Sequence, residues 1–269
     1  MNLRARYAVS GALFLLLAGT AMAQSLERRI AAAPDGSVRF SYAAKPGVYG
    51  NGRNTISWDC DGGNCRSRQI DNYSDVDRDD GSMPCDSGPV RIALTKRGST
   101  ITDLRVYVGG QWRTNTTSTD LGTVSGREAA TYLLALASRD ESRASEKAIF
   151  PAMLADSVTL WPELLKIARD TRLSRKVRRS SVFWVGQAAG EAATRGLTDL
   201  VDDNGADREV REQAVFALSQ RPRDEGVPAL IRIARENRDP ELRRKAIFWL
   251  GQSEDPRALS LFEELLTRP

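Results

Sequence analysis

The sequence contains no histidine. Ser-His-Asp and Cys-His catalysis are excluded, and so are zinc sites that require imidazole. Acid–base chemistry would fall to carboxylates, lysine or tyrosine. Cysteine is scarce: Cys60, Cys65 and Cys85 are too few for a four-thiolate metal site, and a catalytic thiol would have no imidazole to activate it. Neither sign of charge dominates, with 39 Lys and Arg against 35 Asp and Glu. That balance argues against a nucleic-acid partner. Beyond the first two dozen residues no apolar run is long enough to span a bilayer.

The first 23 residues have the layout of a secretory signal peptide: Arg4 and Arg6, then GALFLLLAG, then Ala21-Met22-Ala23 at the cleavage position. Cleavage after Ala23 and export, to a bacterial periplasm or beyond, are expected. The leader carries two of the 39 basic side chains and none of the acidic ones, so the mature chain is closer still to neutral. Export favours a disulfide between two of Cys60, Cys65 and Cys85. Cys60 and Cys65 would close a short ring around Asp61-Gly62-Gly63-Asn64. A bond that includes Cys85 closes a larger ring and is slightly favoured.

Residues 24–118 are rich in Gly, Asp, Asn and Ser and carry short alternating runs. GSVRFSY, PVRIALTKR and ITDLRVYVGG read as strands, with a turn at KRGST and a second reversal at Gly109-Gly110. The expectation is a small, mainly antiparallel β domain interrupted by a long polar loop over 61–87. Within that loop Asp75, Asp77, Asp79 and Asp86 have the spacing of a calcium loop. Asp80, however, stands where the sharp turn needs Gly, so no metal is expected. A rival use of this half is recognition of a glycan, peptide or cation, carried by the acidic loop with Tyr49, Trp58 and Trp112.

Residues 119–126 read as a linker ending in a capping box, Ser125 with Glu128, and from 127 to 269 the apolar period becomes 3.6. RRSSVFWVGQ at Arg178, REQAVFALSQ at Arg211 and RRKAIFWLGQ at Arg243 are copies of one segment, and SEKAIF at Ser145 is a weaker fourth. A second apolar helix follows each copy, at Leu164, Leu197, Leu230 and Phe262. Paired helices repeated at this period make an α-solenoid. At 100° per residue Val210, Ala214, Ala217 and Leu218 share one face, while Val215 and Phe216 lie on opposite flanks. A lone amphipathic helix has no use for apolar flanks, but a helix stacked between neighbouring repeats does. Val182, Val215 and Ile247, with Phe150, Phe183, Phe216 and Phe248, are therefore expected to form the stacking contact. Pro151 replaces the tryptophan or alanine of the other copies and should kink or split the first repeat. The fold class expected is α+β in two segregated parts, a small antiparallel β domain followed by an all-α solenoid of helix pairs.

DPELRRKAIFWLGQSEDPRALSLFEELL, Asp239 to Leu266, resembles a short HEAT repeat of the kind found in bilin-lyase-like proteins, and the resemblance covers about 127–269. It implies a protein-binding scaffold without cofactor, not an enzyme. The lyase activity of some relatives, exerted on pigment proteins in the cytoplasm, is not carried over to a chain with an export signal. The expected partner is another envelope or secreted protein.

Exposed charges alternate in sign from repeat to repeat along Lys166, Asp199, Arg232 and Glu264, along Arg169, Asp202 and Arg235, and along Glu146, Arg179, Glu212 and Arg244. Ion-pair ladders between repeats are expected there. Arg178, Arg211 and Arg243 form an unalternated column. They are either partner-binding residues or ligands of nearby loop groups such as Asp207 and Asp239. Phe248, on the last repeat, is a candidate docking or homodimer contact.

Overall fold

The computed structural model describes residues 25–53, 56–57, 60–61, 64–65, 83–112, 117–139 and 142–267. Among the described residues helix α1 (Leu26–Ala32) is followed by the strands β1 (Gly36–Tyr42), β2 (Tyr49–Gly50), β3 (Ile56–Ser57), β4 (Cys60–Asp61), β5 (Asn64–Cys65), β6 (Met83–Pro84), β7 (Val90–Arg97), β8 (Thr100–Val108) and β9 (Ser118–Thr123). Further helices complete the order: α2 (Gly126–Ala137), α3 (Arg143–Lys147), α4 (Ile149–Met153), α5 (Trp161–Arg169), α6 (Arg175–Gly186), α7 (Glu191–Asp202), α8 (Arg208–Ser219), α9 (Arg223–Glu236), α10 (Pro240–Gly251) and α11 (Pro256–Thr267). A small β region thus precedes a run of paired helices, as the change of period predicts.

The main sheet has the order β8-β7-β1-β9, and β1–β7 and β7–β8 are antiparallel. Val38, Leu94 and Leu104 stand opposite one another across three strands and are buried, because alternate residues of each strand face the same side. Gly98 has a positive φ at the β7–β8 turn, and its N–H donates to the Asp35 carboxylate at 2.8 Å.

Two elements depart from the sequence reading. Residues 119–126, expected as a linker, contribute β9, which pairs in parallel with β1. STDLGT lacks the alternating apolar pattern because it is a solvated edge strand with no buried residue. Helix α1 was also unforeseen. Its Leu26 and Ile30, one turn apart, are buried in the same apolar cluster as Phe40 and Tyr132, whose rings meet edge to face at 6.2 Å. The Ser125 hydroxyl accepts the Glu128 N–H, as the capping box requires. The Glu128 carboxylate instead accepts the Leu26 N–H at 2.6 Å, so it ties α1 to α2.

Pro151 does split the first repeat. Its ring would collide with the carbonyl four residues earlier, that of Lys147, and α3 ends at that residue. The break lies where sheet and helices meet. The Tyr42 hydroxyl donates to the Pro151 carbonyl at 2.6 Å, the Lys45 N–H to Leu154 O at 2.9 Å, and Lys147 Nζ to Asp103 at 3.0 Å. Beyond it the helices form two layers, with α6, α8 and α10 side by side in one and α5, α7, α9 and α11 in the other. Gly186 permits the close approach of α6 to α8, since a Cβ there would lie 3.0 Å from Ala217 Cβ. Among the described residues no helix is long and apolar enough to cross a membrane.

Candidate functional site

The repeated segments place their aromatic residues on the layer of α4, α6, α8 and α10. Phe150 contacts Trp184 of the next repeat at 5.8 Å between ring centroids, and Phe183 meets Trp184 edge-on at 5.2 Å. Phe216 contacts Trp249 of the following repeat at 5.0 Å, and Phe248 meets Trp249 edge-on at 5.0 Å. Ala217 occupies the intervening tryptophan position, so the row consists of two triads instead of one continuous ladder.

The four phenylalanines expected in the stacking contact are covered to different extents. Val182 and Val215 are fully buried between repeats, Ile247 is half-buried, and Phe150 and Phe216 lie half-buried beneath a tryptophan. Phe183 is 37% exposed and Phe248 55%. The Ala217 methyl is too small to cover Phe183, and Phe248 has no later tryptophan against it. The aliphatic residue of each pair fills the contact, and the ring forms its outer edge.

The arginine column turns inward. The Arg178 side chain is buried, and its guanidinium donates to Leu173 O and to the carboxylate of Asp207, the N-cap of α8. Arg211 donates to Val201 O at 2.8 Å and lies 3.8 Å from Asp239, the N-cap of α10. Arg243 donates to Asn237 O at 2.7 Å. Arg178, Arg211 and Arg243 thus take the second of their two expected roles: each serves a backbone carbonyl of its own chain, and the first two reach the carboxylate of the next repeat.

Ion pairs do join neighbouring repeats, but not along the expected columns, and Lys166 and Arg244 pair within their own helices, with Glu163 and Glu241. Arg232 pairs with Asp202 at 2.8 Å, Arg235 with Glu264, Lys176 with Glu146 at 2.6 Å and Lys245 with Glu212 at 3.3 Å. Members of one column do not meet because neighbouring helices are displaced along their axes. After these pairings Arg179 has no carboxylate within 4.0 Å among the described residues, only a 3.5 Å contact from Nη2 to Gln213 Oε1. It lies beside a groove of about 490 Å³ between α6 and α8, lined also by Arg175, Lys176, Phe183 and Glu209.

Arg221 is the residue that sequence reading missed. It is buried, and it donates to the carbonyls of Gly186, Ala188 and Gly190, to the Thr194 hydroxyl and to Glu225. It thereby stitches the α6–α7 connection to the start of α9. No repeat in the sequence announces it, because the other copies carry Ala188 and Ser253 at the corresponding place.

Carboxylates with clear shifts are held low. Hydrogen bonds from the Arg172 and Arg257 side chains bring Asp170 and Asp255 to about 2, and the Thr194 hydroxyl followed by Arg221 lowers Glu225. In the β half, Trp112 lies between two cations, 5.1 Å from Arg39 and 4.8 Å from Arg91, and Arg91 donates to Gly109 O and Gly52 O. Trp112 is thus engaged within the chain. Tyr49 is half-buried in the β2–β3 pair, and Trp58 lies outside the described residues. So do Asp75, Asp77 and Asp79, while Asp86 bridges Gly50 through its backbone. Among the described residues no cluster of three or more His, Cys, Asp or Glu is placed to hold a metal. Cys60 and Cys65 stand directly opposite in the β4–β5 pair, and Cys85 is buried.

No sequence among the curated proteins matches this chain. The family model for HEAT repeats matches residues 196–269, the stretch that runs from within α7 through α11, so the C-terminal segment is similar to HEAT repeats, and no family is matched before residue 196.

Proposed function

We propose that this chain is an exported, non-enzymatic scaffold that binds another envelope or secreted protein through the outer surface of its HEAT-type helices. HEAT repeats point to protein partners. The observation that carries the reading is the half-exposed aromatic row on the α6–α8–α10 layer, where Phe183 and Phe248 remain open while Val182 and Val215 are fully buried and Ile247 is half-buried. Aromatic side chains presented on a rigid layer are a favoured basis for protein recognition. Three of the described carboxylates are poorly suited to act as general acids. A general acid at neutral pH needs a raised pKa, and Asp170, Asp255 and Glu225 are all lowered by donors of their own chain.

A photo-crosslinking amino acid placed at Phe183 or Phe248, with one at Arg195 on the opposite layer as control, tests the scaffold reading in the native cell. Discrete adducts from the first two positions and none from Arg195 are expected. Equal labelling from all three removes the proposal. Export is tested separately by fractionation and by determination of the mature N-terminus, expected at Gln24. A second copy of the chain is one partner consistent with the apolar end of the array, where Phe248, Leu259 and Leu266 are exposed on α10 and α11. Light scattering of wild type and Phe248→Glu distinguishes it: a dimer that becomes monomeric supports self-association, and a monomer in both cases excludes it.

A further inference from the structure

The groove between α6 and α8 holds two compensated cations and one uncompensated one among the described residues. Arg175 is paired with Glu209 at 2.8 Å and Lys176 with Glu146 at 2.6 Å. Among the described residues Arg179 is left over, exposed, with only the long contact to the Gln213 amide oxygen. An uncompensated guanidinium with two parallel donors is shaped for a carboxylate. One helical turn further along the same face stands Phe183. Its ring rests edge-on against Trp184, which in turn packs on Phe150, so the exposed face is held by two rings behind it. A cation and a rigid apolar surface thus share one wall of a groove of about 490 Å³.

The spacing selects a ligand. Four residues of α-helix separate Arg179 and Phe183 by roughly 6 Å along the axis. Two residues of extended chain span roughly 6.6 Å, with both side chains on one side. We propose that the α6–α8 groove captures an extended segment of a partner protein bearing an Asp or Glu two residues from a large apolar side chain, with the carboxylate on Arg179 and the apolar group against Phe183. This rests on the scaffold reading and narrows it to one surface and one partner chemistry. A basic segment would meet Arg179, the cation that Glu209 and Glu146 leave uncompensated once they pair with Arg175 and Lys176, and is disfavoured by like charge. A purely apolar segment would leave the Arg179 guanidinium covered without a partner.

A random twelve-residue peptide library displayed on phage and selected on the immobilised full chain tests this. Enrichment of an acidic residue two positions from Phe, Leu, Ile or Trp is expected. Both residues are exposed, so Arg179→Glu and Phe183→Ser should fold as wild type, to be checked by circular dichroism. Against a selected peptide measured by fluorescence anisotropy, Arg179→Glu should weaken binding by about tenfold or more. Replacing the acid of that peptide by Lys should restore binding to the variant and not to wild type. Phe183→Ser should abolish the apolar preference and leave the acidic one. Failure to enrich any motif, or a motif whose binding ignores Arg179→Glu, overturns the groove assignment. Peptides that bind instead through Phe248, or adducts in the crosslinking experiment from Phe248 alone, overturn it while leaving the scaffold reading intact. A sedimentation coefficient of the chain alone that falls with Arg179→Glu would show a second copy in the groove and also overturn it.

Discussion

Arg178 crosses from α6 to the carboxylate of Asp207, the N-cap of α8, and that carboxylate makes no side-chain cap to its own helix. The bond therefore joins one repeat to the next at the cost of a local cap. The two partners are unequal, with side-chain exposures of 5% for Arg178 and 39% for Asp207. Asp207→Ala leaves a buried guanidinium with only the Leu173 carbonyl and should cost about 2–3 kcal/mol. Arg178→Met leaves a carboxylate that water can reach and should cost less, about 1 kcal/mol. Urea titrations that rank the two in the opposite order would refute this asymmetry.

Gly226 and Gly196 both lie inside helices, where replacement by Ala is ordinarily worth up to about 1 kcal/mol. A Cβ on either would fall 2.3 Å from a neighbour, but the neighbours differ. At Gly226 it is the backbone oxygen of Leu218, which cannot move without disturbing α8; at Gly196 it is the Cδ1 of Leu165, the end of a flexible side chain. Gly226→Ala should destabilise by about 1–3 kcal/mol, and Gly196→Ala should be closer to neutral. Differential scanning calorimetry on the pair checks both.

Phe216 and Phe248 occupy the same column of the repeat and should respond differently. Phe216→Ala removes the half-buried ring under Trp249 and should cost about 2 kcal/mol. Phe248→Ala removes a mostly exposed ring and should stay within about 0.5 kcal/mol. Equal losses in chemical denaturation would show that the exposed ring is structurally required after all.

The chain has no histidine, so no side chain with an ordinary pKa titrates between roughly pH 5.5 and 7, and stability should be level across that range. Acid behaviour follows from Asp170 and Asp255, whose folded values are near 2 because Arg172 and Arg257 bond their carboxylates. The folded values lie below the unfolded value of about 3.9. Their contribution is therefore complete above that value and is lost as pH falls through about 4 toward 2. Thermal melts at closely spaced pH should show a plateau down to about 5 and a decline below 4. Asp170→Asn should flatten part of that decline.

Much of this architecture is written locally. β1, β7 and β8 follow from alternation, the cap at Ser125 from residue type, and the break at Pro151 from its missing N–H and its ring. β9 and α1 are not legible in the same way. β9 buries nothing and owes its conformation to its partner β1, while α1 is only seven residues long and is held by Glu128 from α2 and by the buried side chains of Leu26 and Ile30. The proposed binding face is half legible: the phenylalanine column can be read, and its division into covered and open rings cannot.

By itself the sequence determined that helices would pair and stack, because apolar residues recurring on three sides of each first helix have no other way to leave water. Only the tertiary structure decided which cation meets which carboxylate and which ring stays exposed. A helical period fixes the direction in which a side chain points, whereas its contacts depend on how far the neighbouring helix is displaced along its axis and on what stands there. Arg178 and Arg179 are adjacent in the chain, yet one is buried against Asp207 and the other faces an open groove.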